Sequence, residues 1–154
     1  MTTLRPPSTP PREPPVELLL TTLRLIGCTL WGAGLWACAV VAREHTKALT
    51  LGTSLRKFRA LHRGLFRELV LPGAFLYLAS ELVALTTRHA PQPITLHAVA
   101  AIAVTTISAV AAKTISELHA DPAHGMAANR LTQLRPASLP VLIGSFLLEV
   151  WPLL

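Results

Sequence analysis

Four apolar stretches separated by polar ones set the pattern of this chain. The first runs from Val16 to Ala42 and is charged only at Glu17 and Arg24. Its charge-free part, Leu25 to Ala42, has 18 residues, or about 27 Å of helix, close to the roughly 30 Å of bilayer hydrocarbon. Leu69–Thr87 and Ile94–Ala112 follow, then Leu139–Leu154 with 16 residues. That last run gives only about 24 Å of helix, so it crosses only with some thinning of the bilayer or help from flanking residues. The pattern predicts an all-α integral membrane four-helix bundle. Its spans fall at about 17–42, 69–87, 94–112 and 139–154, behind a tail at 1–15.

The stretch before the second span has a different period. At about 100° per residue, Leu55, Phe58, Leu61, His62, Leu65, Phe66 and Leu69 gather on one side. Arg56, Arg59, Arg63 and Arg67 lie together beside them. This reads as an interfacial amphipathic helix with its arginines on lipid phosphates. Pro72-Gly73 predicts a kink where it joins the second span. Gly27, Gly34 and Cys38 share a face of the first span, and small residues let another helix approach closely in lipid. The third span is built largely of alanine with Val, Thr and Ser, which predicts the most enclosed helix.

Composition agrees with a membrane protein. Of 154 residues, 51% are hydrophobic and 14% charged, with mean hydropathy +0.49, whereas soluble domains carry about 25% charged residues. The net charge of +6 sits between the apolar runs, which points to anionic headgroups of the bilayer as the partner. Aromatic residues make up 5%, too few to stack bases, so nucleic acid is not an expected partner. A homo-oligomer or a membrane partner would use the small-residue faces. Segments 43–68 and 113–138, read as the two long loops, hold ten of the fourteen Lys and Arg residues. The positive-inside rule then places both loops in the cytoplasm and both termini outside, in a plasma (inner) membrane.

Six prolines in residues 1–15 predict an extended, disordered tail. Ala37-Cys38-Ala39 resembles a cleavage site, but the proline-rich leader, the length of the apolar run and the bulky Trp36 argue against processing. Cys28 and Cys38 are ten residues apart on one helix, about 15 Å along its axis, so they do not bridge each other.

The candidate chemistry lies inside the spans. With antiparallel crossings, Arg24, Glu81, His97 and Glu149, one from each span, fall at one level near the outer edge. Each costs about 2.5–3.5 kcal/mol even on the insertion scale, so such groups pair and face the bundle interior. The layer reads either as an ion pair pinning the bundle or as a polar, proton-handling binding site. Glu117, His119, Asp121 and His124 match no metal signature, and no nucleotide, redox or hydrolase motif occurs. No metal and no cofactor are expected.

The residues His62-Arg63-Gly64, Pro72 and Tyr77, with Asn129 and then Arg135, Pro140 and Gly144, resemble the anthrone oxygenase-like family of small four-helix membrane proteins. The tryptophan that family carries before the final arginine is missing, since 126–134 reads MAANRLTQL. The resemblance implies cofactor-independent oxygenation of a lipophilic aromatic, with His62, Asn129 and Arg135 as the catalytic residues. Beside it stand two further readings. One is a non-catalytic accessory or packing protein. The other is a small proton-coupled carrier using Glu81.

Overall fold

The computed structural model describes residues 15–52, 55–86, 94–121, 123 and 125–150. Residues 1–14 of the disordered tail expected at 1–15 and the last four residues of the fourth run lie outside them, while Pro15 opens the first helix. The described residues hold no strand. They form α1 (Pro15–Thr50), α2 (Arg56–Leu65), a π turn (Phe66–Val70), α3 (Leu71–Thr86), α4 (Ile94–Ala120) and α5 (Gly125–Val150). Four helical stretches, Val16–Thr50, Arg56–Thr86, Leu96–Ala120 and Gly125–Val150, are long and apolar enough to cross a membrane.

The helices outrun the apolar patches that predicted them. Segment 113–138, expected as a loop, is almost all helix, with only residues 121–124 joining α4 to α5. Segment 43–68 is likewise mostly helical, since α1 runs on to Thr50 and α2 begins at Arg56. The reason is that a helical stripe of small and apolar residues continues under the charges. Thr114, Ile115 and Leu118 of α4 are buried, as are Ala127, Ala128, Leu131 and Leu134 of α5. Lys113, Arg130 and Gln133 point outward. The fourth apolar helix is therefore not short, because α5 has 26 residues, about 39 Å. It carries Pro136 and Pro140 inside it. Both rings stand on its exposed side, while the buried Ser138 between them donates its hydroxyl to the Arg135 carbonyl at 2.9 Å.

The enclosed helix is α1, not the alanine-rich α4. Half of the most apolar window of α1 is buried, against 22% for that of α4. Small side chains permit close approach, but enclosure follows from the number of neighbours, and α1 packs on α2, the π turn, α3 and α5. Glycine supplies the approach on α1 itself. A Cβ at Gly27 would lie 2.6 Å from the Tyr77 amide nitrogen, and one at Gly34 would lie 2.7 Å from a Val70 methyl. Gly73 of α3 returns the contact, its missing Cβ making room for the backbone at Trp31. Cys28 and Cys38 are buried free thiols on this helix.

Pro72 does not break the chain between α2 and α3. Having no N–H, it leaves a carbonyl one turn earlier without its donor. The helix passes this point through the π turn, where Leu71 N–H bonds back five residues to the Phe66 carbonyl.

Candidate polar sites at the two ends of the bundle

α1, α3, α4 and α5 each bring one ionisable side chain to a single buried cluster. The Arg24 Nη1–H donates to Glu149 Oε1 at 2.9 Å. Arg24 Nε stands 3.3 Å from Glu81 Oε1 as an ion pair. His97 Nδ1 lies 3.0 Å from the same Glu81 oxygen. With Glu81 ionised, that contact requires the proton on Nδ1, because a carboxylate only accepts. All four side chains are at most 7% exposed. His97 Nε2 is buried and has no hydrogen-bond partner among the described residues. One guanidinium faces two carboxylates, and the His97 ring stands beside one of them. Glu81, His97 and Glu149 offer ligand atoms within 4.8 Å of one another, a spacing that could hold a metal ion. The Arg24 charge already sits against both carboxylates, and a dication would have to displace it.

One turn along from the two carboxylates, at four residues' spacing on each helix, the Tyr77 and Ser145 hydroxyls meet at 3.3 Å. Farther along, Trp31 Nε1–H donates to Ser108 Oγ at 2.9 Å. These pairs were missed from sequence, although a signal existed. Tyr77 and Ser145 each lie four residues before a carboxylate of the layer, while Trp31 and Ser108 lie seven and eleven residues beyond Arg24 and His97 on spans that run in the same direction.

The opposite end is organised around His45. Its ring stacks on Phe58 at 5.4 Å between centroids, and His62 tilts against it at 5.8 Å. His62 is 1% exposed, and neither of its ring nitrogens has a hydrogen-bond partner among the described residues. Asn129 and Arg135 are exposed on α5. Arg135 covers the Trp36 ring at 4.1 Å, and both α5 residues border shallow grooves shared with Arg43 and Thr132. His62 lines neither groove. The structure thus gathers Arg24, Glu81, His97 and Glu149 into one cluster, and His62 is in neither groove that Asn129 and Arg135 border. No protein-family model matches the chain, and no curated protein or solved structure matches it either.

Proposed function

We propose that the chain is a small multi-pass integral membrane protein with a non-catalytic accessory or packing role. Both termini stand outside, and α2 and the α4–α5 junction lie on the cytoplasmic side. The double ion pair of Arg24 carries this reading. The two carboxylates that an enzyme or a carrier would use inside the membrane are both engaged by one buried guanidinium. With His97 added, the cluster ties four helices into one axial alignment. Buried charges kept at such cost work here as an alignment device. In this orientation α2 rests in the headgroup layer, its apolar side against the bundle and its arginines on anionic headgroups.

One observation favours a second reading, the proton-coupled carrier. His97 shares the Glu81 oxygen with Arg24 and keeps its Nε2 unpartnered, so a proton could join or leave there without breaking either Arg24 pair. Proteoliposomes under a pH gradient separate the two. The accessory reading expects no proton flux from either the wild type or Glu81→Gln. Flux through the wild type that Glu81→Gln abolishes would replace it with the carrier. Turnover of an added anthrone, lost in His62→Ala or Arg135→Ala, would instead install the oxygenase-like reading.

A further inference from the structure

Four arginines line one cavity of about 550 Å³ beside α2, together with Ala60, Gly64, Glu68 and His119. Arg56, Arg59, Arg63 and Arg67 recur every three or four residues, so they form one rim. The floor is small, since Ala60 and Gly64 fall between them and a Cβ added at Gly64 would meet no atom within 4 Å. The end of α4 closes one wall, where the His119 carbonyl accepts a bond from Arg59 Nη1 at 3.4 Å. Among the described residues, no carboxylate or carbonyl holds the guanidinium of Arg56, Arg63 or Arg67. Four guanidinium groups face one carboxylate, Glu68, which has no ion pair among the described residues.

A merely solvated basic stripe would intersperse its charges with carboxylates, as Arg130 does with Glu117 at 3.3 Å on the neighbouring helices. This groove leaves its donors unspent. Guanidinium pairs phosphate oxygens bidentately, and basic pockets beside cytoplasmic helix ends take phosphorylated lipid heads. The rim from Arg56 to Arg67 spans about 16 Å of helix, longer than one phosphate can cover. The apolar stretch beginning at Leu69 follows directly, so the groove opens where a bilayer's phosphates would lie.

We propose that the groove between α2 and the end of α4 is a stoichiometric site for one anionic lipid whose head carries two or more phosphates. This rests on the four-span reading above. That reading is checked separately by whether the protein stays in the membrane fraction after carbonate extraction.

The test uses the full chain in phosphatidylcholine nanodiscs, with lipid retention read by native mass spectrometry. Cardiolipin and a phosphoinositide bisphosphate are each compared with phosphatidylserine, with soluble pyrophosphate as a further arm. The expected result is one retained polyphosphorylated lipid per chain, at least tenfold preferred over phosphatidylserine, and no retention of pyrophosphate. Arg59→Gln/Arg63→Gln should remove that preference. Lys57→Gln, which removes a charge from the same helix outside the groove, should leave it intact. Equal losses in both variants, no preference among lipids, or equal binding of pyrophosphate would each overturn the proposal. The circular dichroism of the double variant reports whether it remains folded. Should it unfold, the Arg63→Gln single variant is read in its place under the same criteria.

Discussion

Arg24 on α1 and Glu149 on α5 are separated by 125 positions in sequence and by 2.9 Å in space. Between them they close the bundle at the end where the described chain begins and ends, with Glu81 and His97 completing the contact. Each partner is paid for by the others, so the cost of a change depends on which charges remain.

Arg24→Met leaves two buried carboxylates without a cation. Removing one member of a buried ion pair costs about 3–5 kcal/mol, whereas replacing the whole set by neutral groups is often close to neutral. The single variant should therefore unfold far more readily in a denaturant titration in micelles. Arg24→Met combined with Glu81→Gln and Glu149→Gln should recover most of the loss. A single variant within about 0.5 kcal/mol of wild type would show that the cluster does not hold the bundle.

Gly73→Ala pushes a methyl group into the α1 backbone at Trp31. Overpacking costs about 1–3 kcal/mol when side chains can yield, and backbone yields less than side chains do. Gly144→Ala is the matched control, because nothing lies within 4 Å of a Cβ there. Thermal aggregation should separate the two variants clearly, and equal midpoints would contradict the close α1–α3 approach.

The Trp31–Ser108 bond joins α1 to α4 inside the apolar region. Interhelical bonds of this kind couple by about 0.6 kcal/mol on average and by at most about 1.7. A double-mutant cycle with Trp31→Phe and Ser108→Ala should return a coupling in that range. Zero coupling would mean that the indole bond contributes nothing beyond packing.

Orientation is read with cysteine reporters at Thr9, Ser54, Gln92 and Gln133 and an impermeant reagent on intact cells. Thr9 and Gln92 should label, and Ser54 and Gln133 should not. The native thiols at positions 28 and 38 are buried and give little background. Labelling of Ser54 would invert the proposed topology and move α2 out of the cytoplasmic headgroup layer.

Much of this arrangement was legible from sequence. Crossings of alternating direction place residues by depth, and depth alone brought Arg24, Glu81, His97 and Glu149 to one level. What depth does not give is rotation about each helix axis, so the division of Arg24 between two carboxylates had to come from the structure. Helix ends were less legible, because Lys113, Arg130 and Arg135 looked like loop charges while the residues beneath them continued a buried stripe. Enclosure was misread at α4, where alanine content spoke for contact and the neighbours were on α1. That His62 lines neither groove bordered by Asn129 and Arg135 was likewise invisible, since spacing along the chain does not say which residues line a common groove.

The π turn at Phe66–Val70 has a consequence for the faces on either side of it. In an unbroken α-helix, Val70 would sit about 80° around the axis from His62, but a turn that absorbs one extra residue brings them to within roughly 20°. His62, Val70 and Tyr77, all buried, therefore point the same way despite their spacing, and the arginine rim stays turned from α1. The extra residue acts as a phase corrector. Deleting Glu68 should let the segment relax to regular α-helix while both faces keep their partners, whereas adding a residue there should turn the arginines toward the core.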